Sequence, residues 1–271
     1  MRQWMIALLA VTITGCGATK DLTDGPNGYD PSLYGWNMTA GPLLFDSVAG
    51  SAQFDHYLAV LESKGAKKQV RIIAPHGWGE TKIEPLWLPV IRARGWKALV
   101  IVSQESADTQ DREQAIAWVR HLLDTWGDVI IGIQPGNEPY HDFEHWTPAD
   151  YLVWHRLVAT EAKARHIPVV TGDFGPGYRD KAMGFYAKAG LNWATDVDVF
   201  SLHVTGDRNS GDLRDFLRQI PTGLPIWITE GDWSQRTVIP AAETYVYTCI
   251  GAGGGLDGSS SLNRCPAMEA K

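Results

Sequence analysis

The chain has few cysteines, three in 271 residues, and none of them form a Cys-x-x-Cys pair or sit in a Cys/His cluster. That spacing gives no support for a zinc site, and no metal is expected. Positive charge is not in excess either. Lys and Arg number 24 against 31 Asp and Glu, a net charge of −7, with no long run of one sign. A nucleic-acid partner calls for a basic face, and an anionic membrane surface calls for a basic patch, so neither is expected. No Gly-rich phosphate loop follows the first apolar run, which argues against an open dinucleotide-binding sheet. No His-x-His follows it either, which weakens a metal-dependent hydrolase on a barrel. The only marked apolar run at the N-terminus, Met5 to Thr12, is too short to span a bilayer.

Tryptophan, by contrast, is plentiful: twelve, more than Tyr or Phe. Half of these are expected in the core. The others are candidates for stacking on the apolar faces of sugars, with Trp233 and Trp78 foremost and Trp87 near the same loops.

The N-terminal segment is read as targeting, not fold. A positive start at Arg2 precedes the apolar run, and Ile13-Thr14-Gly15-Cys16 follows it. Small residues before a cysteine there resemble a bacterial lipoprotein lipobox. The resemblance implies removal of residues 1–15 and lipidation at Cys16. It also implies a protein anchored in the cell envelope, with 16–32 as a tether rich in Asp, Gly, Pro and Asn. Export would place Cys249 and Cys265 in an oxidising compartment, where an even pair is a candidate disulfide.

From residue 33 to 271 short apolar runs alternate with amphipathic stretches. Strands are expected at 33–37 or 43–45, then at 69–74, 98–102, 129–134, 168–171, 197–202 and 226–229. Near-continuous Val/Ile/Leu is how parallel strands buried on both faces read. Helices are expected over 51–64, 85–94, 110–126, from Thr147-Pro148 to about 165, 180–190 and 212–220. This alternation is that of an α/β chain, and a (β/α)8 TIM barrel of about 240 residues accounts for it. The eighth unit is its weak point. A helix is expected over 241–250, which leaves the Gly- and Ser-rich tail to supply an irregular or truncated last strand.

Catalytic groups of such a barrel sit at the C-terminal ends of its strands. There, Asn137-Glu138-Pro139 follows the fourth run and Glu230 ends the seventh. This pair resembles clan A of the glycoside hydrolases, the barrels with glutamates after strands four and seven, and the cellulase-like family 5, family 39 and family 128 in particular. The resemblance implies a retaining enzyme that cleaves β-linked polysaccharide of glucan, mannan or xylan type, with no cofactor and as a monomer. It makes Glu138 the acid/base and Glu230 the nucleophile. Asn137 would hold the sugar 2-hydroxyl, Arg71 would support the nucleophile, and His203 would line the site. His76, Trp78 and Trp233 are further substrate-binding candidates by their places after strands two and seven. Two departures from the pattern stand out: Thr205 where many members carry Tyr, and no Trp beyond Trp233. They keep open a carbohydrate-binding barrel without catalysis. A transglycosylase with the same two glutamates is the other alternative. The chemistry itself needs one protonated and one ionised carboxyl on opposite sides of the anomeric carbon.

Overall fold

The computed structural model describes residues 31–33, 35–38, 48–63, 65–77, 79–104, 109–141, 146–172, 174, 179–204, 223–231 and 243–247. Seven parallel strands form one sheet: β1 (Gly35–Met38), β2 (Gln69–Pro75), β3 (Lys97–Ser103), β4 (Ile130–Pro135), β5 (Phe200–Val204), β6 (Ile226–Gly231) and β7 (Glu243–Tyr247). Their spatial order is β4-β3-β2-β1-β7-β6-β5. The expected strand over 168–171 is reduced to two isolated parallel bridges. Val169 pairs with Ile133 at the end of β4, and Val170 pairs with Val199 just before β5. Those bridges join the two edge strands, so eight strand positions follow one another in chain order, as in a TIM barrel.

The helices are α1 (Val48–Ser63), α2 (Leu88–Ala93), α3 (Thr109–Trp126), α4 (Pro148–Lys163) and α5 (Arg179–Ala189). The expected helix over 85–94 is broken. A π-helical turn, Gly79–Ile83, runs into a short turn at Glu84–Leu86 before α2 begins. α4 begins as its sequence indicates: Thr147 caps it by accepting the Asp150 N–H at 3.1 Å, and Pro148 sits in the first turn. The expected helix over 212–220 lies outside the described residues.

Residues 241–250 are a correction. Glu243–Tyr247 is a strand, not a helix, and it pairs with both β6 and β1. It fills the eighth position that the tail was expected to supply. Thr244-Tyr245-Val246-Tyr247 is a β-branched and aromatic run, which suits a pleated surface better than a helix. Tyr245 turns into the ring, and Gly35 on β1 makes room for it: a Cβ there would lie 2.6 Å from its ring.

Side-chain alternation sorts the strands into two faces. Val70, Ile72, Ala74, Ala98, Val100 and Val102 point out against α1, α2 and α3 in the larger core. A smaller aromatic core under α5 joins Tyr186, Phe174 and Phe200 to Leu202 and Ile228. Inside the ring, Leu99, Val170, Val199, Trp227 and Tyr245 form an apolar layer with Ile131 against it. Gly132 leaves space for the Trp227 indole, whose ring carbons would lie 3.0 Å from an added Cβ.

The described tryptophans pack in these cores. Trp87, expected near the top loops, is instead buried and stacked on Phe54 at 4.3 Å. Trp118 and Trp126 are held through their ring N–H groups by Glu84. Among the described residues no helix is long and apolar enough to cross a membrane.

Candidate functional site

Arg71 is the hub. It lies on β2 between the outward-facing Val70 and Ile72, so alternation sends its side chain into the ring, where it is fully buried. A buried guanidinium is costly unless its donors are satisfied. Nη1 donates to Glu230 Oε1 at 2.7 Å, and Nη2 donates to Asn137 Oδ1 at 2.7 Å. Nη2 also faces His203 Nε2 at 3.2 Å. The ends of β4, β5 and β6 are thus tied to one side chain of β2.

Each glutamate reaches this hub through a departure from regular backbone. β6 carries an extra residue against both neighbours. Leu202 pairs with Ile228, but the next residue, His203, pairs with Glu230. On the other side Ile228 pairs with Thr244 and Gly231 with Val246. Strict alternation would send Trp227 and Thr229 inward and Glu230 out toward the helices. The bulge re-aims Glu230 into the ring beside His203.

Glu138 is reached by a turn in which Gly136 has φ 85° and Glu138 itself φ 47°. Glycine takes that conformation freely; a glutamate is held there at a cost of about 1 kcal/mol or more. What holds it is specific. Glu138 N–H donates to Gly172 O at 3.0 Å, and its carbonyl accepts the His141 N–H at 2.8 Å. Gly172 has to be a glycine for this turn to dock, because a Cβ would lie 2.7 Å from Tyr151 Oη and 2.9 Å from Pro139 Cδ.

His203 links the two carboxylates. Its Nδ1 is 2.8 Å from Glu138 Oε1 and 3.5 Å from Glu230 Oε2. A guanidinium can only donate, so Nε2, facing Arg71, is the acceptor nitrogen and the ring proton sits on Nδ1. His203 therefore donates to Glu138 Oε1. The Tyr140 hydroxyl approaches the same oxygen at 3.5 Å, while His141 Nε2 lies 3.8 Å from Oε2. The arrangement sets two carboxylates, two imidazoles, an amide and a guanidinium around one end of the ring.

Of the residues singled out from sequence, Arg71, Asn137, Glu138, His203 and Glu230 converge. His76 does not join them through any of these bonds: its Nδ1 is 2.9 Å from Asp111 on α3, with Glu80 at 3.6 Å from Nε2. Trp78, Trp233, Cys16, Cys249 and Cys265 lie outside the described residues. Tyr140 and His141 went unremarked in the sequence, although they directly follow the Asn-Glu-Pro triplet. Their proximity in sequence was the only signal, and a loop residue three positions on does not reveal which way it turns. Among the described residues no group of three or more His, Cys, Asp or Glu could hold a metal ion. Away from the site, burial pushes the Tyr245 phenol well above its ordinary range and the His155 imidazole down to about 4.

No family model matches the sequence, and no curated protein matches it. Solved structures do. A family 39 glycoside hydrolase from the gut symbiont Bacteroides cellulosilyticus WH2 superposes with a TM-score of 0.53 at 13% identity, over 86% of this chain and 58% of that one. A family 1 β-glucosidase from Exiguobacterium antarcticum B7 gives 0.56 at 10% identity, over 80% of this chain and 88% of that one. A family 17 β-1,3-glucanosyltransferase from Rhizomucor miehei gives 0.51 at 15% identity, over 74% and 71%. The fold is a TIM barrel, like that of these enzymes. The chain spans less than three-fifths of the length of the family 39 enzyme. On this barrel, Glu138 follows β4 and Glu230 lies near the end of β6, the seventh position when the bridged segment is counted as the fifth.

Proposed function

We propose that the chain is a retaining glycoside hydrolase that cleaves β-glycosidic bonds in a polysaccharide of glucan, mannan or xylan type. The observation that carries this reading is the single His203 nitrogen close to both glutamates, 2.8 Å from one and 3.5 Å from the other. Those two oxygens are then at most 6.3 Å apart, short of the roughly 6.5–9.5 Å that admits a water between the carboxyls of inverting enzymes.

In the first step Glu230 attacks the anomeric carbon while Glu138 gives its proton to the glycosidic oxygen. The C–O bond breaks, the leaving sugar departs as an alcohol and a glycosyl ester forms on Glu230. In the second step Glu138, now a carboxylate, takes a proton from water, which attacks the same carbon and releases Glu230. Glu138 ends protonated, as it began. Asn137 fits the role of holding the sugar 2-hydroxyl: its Oδ1 is engaged by Arg71, so its NH2 is the end directed elsewhere. Trp78 and Trp233 are proposed as stacking surfaces. Cys16 is proposed as a lipid-bearing mature N-terminus in the cell envelope, and Cys249–Cys265 as a disulfide. Palmitate labelling of wild type and Cys16→Ala tests the anchor.

The test of the chemistry is a pair of variants. Glu138→Ala should lose most activity on polymer and less on an aryl glycoside whose leaving group needs little proton donation. Glu230→Ala with azide should give the α-glycosyl azide from an activated β-glycoside. A β-azide would reverse the two roles, and full activity in a folded Glu230→Ala protein would remove them. Transglycosylation is the second reading, favoured by the similarity to a glucanosyltransferase fold. Product sizes with and without added saccharide acceptor separate the two.

A further inference from the structure

We infer that His141 is a specificity-determining residue of the leaving-group side, contacting the sugar that departs in the first step. The inference rests on the assignment of Glu138 as acid/base. The two oxygens of Glu138 are not equivalent. Oε1 accepts from His203 Nδ1 at 2.8 Å and is the oxygen that the Tyr140 hydroxyl approaches at 3.5 Å. Arg71 fixes the direction of the His203 bond, because it occupies the other ring nitrogen as a donor. With Oε1 engaged as an acceptor from His203, the catalytic proton is assigned to Oε2, the oxygen left to face a substrate.

His141 Nε2 is 3.8 Å from that same Oε2, and the side chain is partly exposed, at 18%. A gap of 3.8 Å is too long for a direct hydrogen bond. It leaves Oε2 able to approach the glycosidic oxygen, which must come within about 2.6–3.2 Å to be protonated. With that oxygen in place, the imidazole flanks the leaving sugar and presents a ring nitrogen to its hydroxyls. The His141 N–H to Glu138 carbonyl bond of 2.8 Å ties the position of this ring to the same turn that positions the acid. The Tyr140 ring packs against the imidazole, tilted, at 5.6 Å between centroids.

The experiment compares wild type, His141→Ala and His141→Gln on an unsubstituted oligosaccharide and on the 2,4-dinitrophenyl β-glycoside of the same sugar, using cello-, xylo- or manno-oligomers according to which the wild type cleaves. The dinitrophenyl group departs without a proton, and turnover then reports water attack, when no leaving sugar is present. The expected result for His141→Ala is at least a tenfold loss of kcat/KM on the oligosaccharide with less than a twofold loss of dinitrophenyl turnover. Transfer to an added saccharide acceptor should fall relative to water, and His141→Gln, which retains a nitrogen at the same reach, should recover part of the loss. Equal losses on both substrates would overturn the inference, because His141 would then act through Glu138. No loss on the oligosaccharide would overturn it as well. A wild-type protein inactive on every such substrate would instead overturn the hydrolase reading on which this one stands.

Discussion

The inside of the ring has two layers that share one strand, β6. In the lower one, β3, β6, β7 and the 169–170 bridges contribute Leu99, Trp227, Tyr245 and Val170, held by packing alone. In the upper one, β2, β5 and β6 contribute Arg71, His203 and Glu230, held by charge and hydrogen bonds. β6 supplies both layers within four residues, and the change from Trp227 to Glu230 is made by the bulge. The difference is one of tolerance. Apolar packing accepts substitutes of similar volume at modest cost, whereas a buried charged network fails when one partner is removed.

The largest test of that contrast falls on the upper layer. Glu230→Ala removes the carboxylate from a fully buried guanidinium and should cost about 3–5 kcal/mol in denaturant unfolding, beyond its loss of activity. Glu230→Gln keeps an acceptor and should cost less. A Glu230→Ala protein as stable as wild type would mean that Arg71 is sufficiently held by Asn137 and His203, and the two layers would differ less than their chemistry suggests.

The matching test in the lower layer is Trp227→Ala, which leaves a cavity over Gly132 and should also cost about 3–5 kcal/mol. Its signature differs: the folded fraction should keep its pH–rate profile, because no group of the upper layer is touched. A shifted profile would show that the layers are coupled.

A third test uses a buried polar group outside both layers. His155 on α4 is fully buried, its Nε2 2.9 Å from Asp196 O and its Nδ1 3.2 Å from Tyr151 Oη. Burial pushes it from 6.5 down to about 4. In that interval the unfolded chain binds a proton that the folded chain excludes, so stability falls as pH drops from about 6.5 to about 4. The maximum loss is about 3 kcal/mol. His155→Gln should flatten that slope, and an unchanged slope would place the acid sensitivity elsewhere.

The smallest effect concerns the turn. Glu138→Gly and Glu138→Ala remove the same carboxyl, but glycine accepts φ 47° and alanine does not. Glu138→Gly should be more stable by about 1 kcal/mol, measured by thermal unfolding; the reverse order would mean that the turn relaxes in the variants.

Much of this was legible in the sequence. Strands such as Ala98–Val102, buried on both faces, announced themselves as unbroken apolar runs, and Thr147-Pro148 marked a helix start. The carboxylate pair was legible as chemistry at strand ends. Three things were not. Glu243–Tyr247 is too short for its period to outweigh a helical reading. The fifth strand survives only as two bridges, because its register is set by Ile133 and Val199, neither of which is local. The third is the bulge through which Glu230 turns inward, since alternation counted from Ile226 would put it on the outer face. His76, also after a strand, takes Asp111 as its partner and stands apart from the Arg71 network.

The two bridges at Val169 and Val170 bear on how the molecule breathes. Elsewhere the sheet is laced by runs of pairs, seven between β2 and β3, whereas here single pairs carry the connection. Opening that seam exposes few amides and requires little of the rest of the structure to come apart, so exchange with solvent there need not await global unfolding. Gly172, two residues past the seam, accepts the Glu138 N–H. Glu138 is thus moored to an edge where the ring is thinly stitched. Hydrogen exchange at the Val170 amide then reports how long Glu138 is held in place, separately from the stability of the whole barrel.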